Sequence, residues 1–245
     1  MKSLIITLSC FFFMATSIVA QTDQFPKEIV YYPEQKSMEE MTEDEYMEIA
    51  HNTTQSFHPI GWSADGKFAY ASFHISYHGD LIMILNVQDM ISDASLFTEE
   101  FSLTDFVNEG DPTKDNVTAE QLWSAMKDKI NKALARYKIR QEKKIDYRKE
   151  TWHRINGQPY KFALTMPADE DGIVQINCRA KGLGEKTIFK GEVDYDSGDY
   201  YVAGIIKSPY QDRVAVVCHF IEGGFEGSVV TFPVLVGCNL KNGFK

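Results

Sequence analysis

Trp62-Ser63-Ala64-Asp65-Gly66-Lys67-Phe68-Ala69-Tyr70 runs without a break into Ala71-Ser72-Phe73-His74-Ile75-Ser76, and the fold is read from this stretch. Asp65-Gly66 is tight-turn chemistry, and Ser63 stands where its hydroxyl can cap the turn. Lys67 to Ser76 is rich in aromatic and β-compatible residues and predicts a strand. Tyr77-His78-Gly79-Asp80 is a second turn. Leu81 to Gln88 is a continuous apolar run, which predicts a returning strand buried on both faces.

Toward the C-terminus the pattern stays β. Strands are expected at 160–166, 173–179, 186–195, 200–206, 213–221 and 228–237. Asp171-Gly172, Asp196-Ser197-Gly198-Asp199, Ser208-Pro209 and Glu222-Gly223-Gly224 separate them. These links are too short for parallel crossovers, so the strands are expected to be mostly antiparallel. One strong helix interrupts the strands. Thr118 and Gln121 form a capping box, and Leu122, Met126, Ile130, Ala133, Leu134 and Tyr137 fall on one face. The helix is expected to run over about 118–143.

The motif Trp62 to Tyr70 resembles the strand–turn–strand signature of TolB-type and WD-like β-propeller repeats, with Ala64 in place of the usual proline. A weaker second copy is Lys207-Ser208-Pro209-Tyr210-Gln211-Asp212-Arg213-Val214-Ala215-Val216, which lacks the glycine. A propeller needs at least four blades of about 40–45 residues. Two copies flanking a helix imply instead an α+β fold: mainly antiparallel β with blade-like hairpins and one central amphipathic helix, not a closed propeller. The whole layout is similar to secreted or periplasmic proteins of Bacteroidetes and spirochaetes. No activity is assigned to that family, so the resemblance carries over no catalytic residue.

The N-terminus reads as a signal peptide: Lys2, the apolar run Leu4 to Met14, and small residues up to Ala20. Cleavage after Ala20 is expected and would deliver the chain to the periplasm or the exterior. No later segment is long and apolar enough to span a membrane. Three segments follow from this: the signal at 1–20, an acidic N-terminal segment at 21–56, and a single domain at 57–245. In the acidic segment six of the ten residues 39–48 are Asp or Glu. The net charge of −10 becomes −11 once Lys2 is removed, and an acidic chain is a poor nucleic-acid binder. Cys178, Cys218 and Cys238 allow three pairings, which the sequence leaves open.

Residues able to carry chemistry are scattered. His74 and His78 lie four apart on a strand-and-turn segment, about 13 Å in an extended chain, too far for one ion. Asp194, Asp196 and Asp199 fit a hairpin turn better than a calcium loop, because positions five and twelve are Gly198 and Ile205. No metal site and no cofactor are implied, and no nucleophile elbow is present. The expectation is a non-catalytic binding module with contact residues Trp62, His74 and His78 near the first hairpin and Phe225 at the tip of the last. One alternative is an envelope or polymer hydrolase using two carboxylates in a β-sheet cleft. Another is a binder of anionic envelope surfaces through a basic helix at 127–149, where ten Lys/Arg face three acids and Lys129, Arg136 and Arg140 would make the contact. The partners expected are an envelope protein or an anionic surface.

Overall fold

A computed structural model of the chain describes residues 24–29, 52–76, 80–102, 117–149, 151–166, 172–193, 200–223 and 229–245. The signal segment, the acidic run at 39–48, His78, Asp194 to Asp199 and Phe225 lie outside the described residues.

The turn that opens the fold is built as its residues require. Ser63 Oγ donates to Asp65 at 2.6 Å and accepts from the Lys67 N–H at 2.8 Å, while Lys67 pairs with Asp65. Strands β2 (Ser56–Trp62), β3 (Lys67–Ile75), β4 (Leu81–Asp89) and β5 (Ser95–Ser102) then form an antiparallel meander. A second meander joins β8 (Trp152–Ile155), β9 (Gln158–Thr165), β10 (Gly172–Ala180) and β11 (Gly184–Val193). The third joins β12 (Tyr200–Lys207), β13 (Arg213–Gly223) and β14 (Val229–Asn239). Short strands complete the edges. β6 (Arg140–Gln141) lies on β2, β7 (Tyr147–Lys149) on β12, and β1 (Asn52–Thr54) pairs in parallel with β14.

The three meanders share one local design. The residue after the third strand donates its N–H to the carbonyl just before the first residue of the second strand that pairs with the third: Met90 to Gly66 at 3.1 Å, Lys181 to Pro159 at 3.3 Å, and Leu240 to Asp212 at 2.9 Å. The registers agree, with Lys67 opposite Asp89, Tyr160 opposite Ala180, and Arg213 opposite Asn239. Among the described residues the fold is therefore mainly antiparallel β, in three sheets, with two short helices and no closed barrel.

The period of two along each strand decides the stacking. On β3, Ala69, Ala71 and Phe73 face the helices, with Met83, Leu85 and Val87 of β4. Phe68 and Tyr70 face the other way, with Phe57 and Trp62, and meet Ala215, Val217 and Leu235 of the β12–β14 sheet. That middle sheet turns Val214, Val216, Cys218, Val236 and Cys238 toward Phe162, Ile176 and Cys178 of the outer β8–β11 sheet. The order of layers is helices, first sheet, middle sheet, outer sheet. The seam between first and middle sheets is polar at one end: Gln88 Nε2 donates to the Leu235 carbonyl at 2.9 Å, Arg213 Nη1 to that of Met90 at 2.5 Å, and Gln211 Nε2 to that of Ala64 at 2.9 Å.

Three sequence expectations need correction. The helix does not run to 143. α1 (Ala119–Ala125) carries the expected capping box, Met126 interrupts it, and α2 (Lys127–Arg136) stops seven residues early. Lys138 takes a left-handed φ of 57°, and Ile139 N–H bonds back to Leu134 while Lys138 N–H bonds to Ala135. This is a Schellman stop, secured by burial of Ile139 and Leu134, without the usual glycine. Next, β4 is not buried on both faces: Met83, Leu85 and Val87 are buried, but Ile82 and Ile84 are only half covered. Finally, the packed body reaches back before residue 57. Phe25 packs against His58, Phe73 and Trp123, and Ile29 bonds to the Phe57 carbonyl.

Candidate functional site

The residues singled out around the first hairpin do not converge. Trp62 is 0 % exposed and packs on Phe68 with ring centroids 4.8 Å apart, so it is core and not a contact residue. The alternation places it there: it precedes a turn on the face of β2 that meets the middle sheet. His74 lies near the far end of β3, six residues from Phe68, or about 20 Å along the strand. Its imidazole is half-buried, and burial holds its pKa below the usual value against the opposing pull of Glu100.

The basic segment is likewise divided. Lys129 and Arg136 are on α2, with Lys129 over the Phe101 ring at 5.3 Å and Arg136 over that of Tyr137 at 5.3 Å. Arg140 is not helical. It sits in β6, beyond the Schellman stop, over Tyr210 at 5.8 Å. Arg148 is paired with Asp146 at 2.9 Å. These cations cover aromatic surface and edge strands, and no single basic helix spans 127–149.

A different face gathers polar chemistry. The outer sheet buries one side, but its other side carries a row across all four strands. Trp152 lies opposite Lys161, Lys161 opposite Arg179, and Arg179 opposite Glu185. Interstrand spacing makes this row about 14 Å long. It floors an open trough of about 680 Å³, walled by Pro159, Lys181 and Lys245. Trp152 is 52 % exposed, a rare state for so large an apolar side chain. Arg179 donates through Nε and Nη2 to one oxygen of Glu185, at 3.0 and 2.7 Å, and its side chain stays 70 % exposed. Gly184 brings Lys245 into the wall: its φ is +104°, and a side chain there would overlap the Lys245 carbonyl, whose backbone pairs with Glu185. Beside the row, Thr187 donates to Asn177 at 2.8 Å, and Asn177 to Thr165 at 3.3 Å.

The sequence signal for this face is Asn156-Gly157. With φ of 51° and 82° they form the two-residue turn joining β8 to β9, and Trp152-His153-Arg154-Ile155 alternates exposed and buried before it. Asn-Gly between alternating residues is the strongest short hairpin signal, and it points directly to an outward Trp152.

Buried ionisable groups sit elsewhere and act on stability. His219 is fully buried and stacked on Tyr201 at 5.0 Å. Burial pushes its pKa down to about 4, against an ordinary 6.5. The native state thus refuses a proton that the unfolded chain accepts, so stability present above pH 6.5 is lost as pH falls toward 4. The expected loss is about 3 kcal/mol, seen as a falling urea midpoint between pH 7 and 4.5. His219→Phe, which keeps the stacking, is expected to flatten that slope; an unchanged slope would assign it to other groups. Glu142, at the seam of β6 and β2, is pushed up to about 7 by burial and by Asp146, against the Trp62 N–H.

Among the described residues no three metal-ligating side chains come together, and no helix is long and apolar enough to cross a membrane. No family model, curated protein or solved structure matches the chain.

Proposed function

We propose that the protein is a non-catalytic binding module, exported by its N-terminal signal, whose ligand face is the open side of the outer sheet. The observation that carries this reading is the row Trp152, Lys161, Arg179 on one exposed face. The trough carries Lys161, Arg179, Lys181 and Lys245 against Glu185, in a chain of net charge −10. Such a local reversal of sign draws an anion. The half-exposed indole offers a flat apolar platform beside the cations, and the guanidinium fork matches a carboxylate or sulfate. Both demands together are met by an acidic saccharide: the C–H face of a sugar ring lies on Trp152 while its acid group reaches Arg179 or Lys161.

The blade-like hairpins and the resemblance to secreted bacterial proteins favour a scaffold that displays such a face. Hydrolysis is less well supported. Among the described residues the trough has one side-chain carboxylate, Glu185, already engaged by Arg179, whereas glycoside cleavage uses two.

The test is calorimetric titration with an acidic oligosaccharide, oligogalacturonate, and with its neutral counterpart. Oligogalacturonate is expected to bind, more weakly as salt rises. Trp152→Ala and Arg179→Ala should each weaken it at least about tenfold at unchanged melting temperature, since both side chains are exposed. Equal binding of the neutral sugar, or full retention by both variants, would remove this reading.

A further inference from the structure

Cys178, Cys218 and Cys238 are all buried thiols in the core between the middle and outer sheets. Cys178 points inward from β10 and Cys238 inward from β14, so they reach the same core from opposite sheets. Cys238 Sγ donates to the Asn239 carbonyl at 3.7 Å, and the two sulfurs lie near enough for each to act on the other's ionisation. Cys218 stands apart. Cys238 lies opposite Val214 on β13, whereas Cys218 lies opposite Val234, four residues further along. That separates it from Cys238 by about 13 Å along the strand, beyond the roughly 7 Å between Cα atoms that a disulfide tolerates.

We propose that Cys178 and Cys238 are a disulfide-forming pair that ties the outer sheet to the middle sheet, and that Cys218 remains a thiol. This is independent of the ligand proposed for the trough. Once the sheets close, the pair sits beside a cation. Lys186, directly opposite Cys178 on β11, donates to the carbonyls of Asn239 and Asn242, and its charge lies beside both sulfurs. The hydrogen bond from Cys178, then Lys186 and Arg213, hold the Cys238 thiol below its ordinary pKa. Cys218, with burial alone acting on it, is pushed far up in the closed core.

The oxidant is a small-molecule disulfide. The Cys238 thiolate attacks one of its sulfurs and releases one thiolate. Cys178 then loses its proton to that thiolate, attacks the Cys238 sulfur and expels the second half as a thiolate, which is protonated from solvent. Two protein thiols are oxidised and one small disulfide is reduced to two thiols. The exchange takes place before the two sheets close over the pair.

The experiment refolds the reduced full chain from urea with oxidised glutathione, followed by denaturing mass spectrometry and a non-reducing peptide map. The expected product is about 2 Da lighter, with the Cys178 and Cys238 peptides joined and Cys218 alkylated. Its melting temperature should rise by about 10 °C over the reduced protein. Cys218→Ser should give the same bridge, and Cys178→Ser none. Should Cys178→Ser not fold, the peptide map of the unmodified chain decides alone. Alkylation of all three of Cys178, Cys218 and Cys238, or Cys218 in the bridge, would overturn the proposal.

Discussion

Replacing Gly237 by alanine is expected to cost about 3–4 kcal/mol and to lower the melting temperature by roughly 10 °C. Gly237 lies on β14 where the middle sheet meets the first, and a Cβ there would overlap the backbone carbonyl of Met90. That carbonyl has no rotamer to escape into. It is also held by Arg213, while the Gly237 N–H is held by Asp93 Oδ1 at 2.6 Å. Relief requires the two sheets to part, which loosens the packing of Phe68, Tyr70, Val217 and Leu235 between them. Gly157→Ala is the control. Gly157 has a left-handed φ of 82°, but an added methyl would meet nothing within 4 Å, so it should lose only about 1 kcal/mol. Thermal unfolding of the two variants separates steric from conformational cost. Equal losses would mean that the seam yields easily and that the sheets are not rigidly registered.

Trp62→Ala is expected to be the most destabilising side-chain truncation, at about 3–5 kcal/mol. The side chain is fully buried between the first and middle sheets, so its removal leaves a cavity that the strands cannot fill. Trp62→Phe should cost much less, about 1–2 kcal/mol. The indole N–H meets no acceptor among the described residues, so the smaller ring also removes an unpaired buried donor. Urea unfolding measures both. A Trp62→Ala protein of parental stability that failed only in partner binding would return the residue to a surface role. Binding at the outer trough should survive Trp62→Phe, because Trp62 belongs to a different core from the one beneath Trp152.

The hairpins are readable because their causes are local. Ser63, Asp65 and Lys67 hold one turn within five residues, and Thr118 with Gln121 caps α1 within four. The strands around Tyr160, Ile176, Ile205 and Val216 lie close to their expected bounds, since apolar periodicity marks them. β2 is not evident in the sequence because Pro59 and Gly61 interrupt its run, and the structure absorbs them with a bulge at Pro59/Gly61. The end of α2 is hidden because Lys138 occupies a left-handed position that glycine usually marks.

The candidate site is legible only in part. His74 and Trp62 share a hairpin in the sequence, but opposite ends of it in space, and Lys129, Arg136 and Arg140 share a charge run but not a surface. Trp152, Lys161, Arg179 and Glu185 are spread over 34 positions of chain and meet only through cross-strand register. Asn156-Gly157 marks the hairpin that turns Trp152 outward, but no local motif announces Lys161, Arg179 and Glu185 beside it.

Turn chemistry, the capping box and the period of two along each strand belong to the sequence alone, because each depends on residues within one or two turns of chain. Which sheet covers which face does not. Trp62 and Trp152 each stand at an end of the first strand of a β-hairpin, one beside its turn and the other at the far end, and only the stacking of the middle sheet between the other two buries the first and leaves the second open to solvent. The same stacking selects Cys238 over Cys218 as the neighbour of Cys178, since a pairing between sheets is set by how faces meet and not by the spacing of cysteines along the chain.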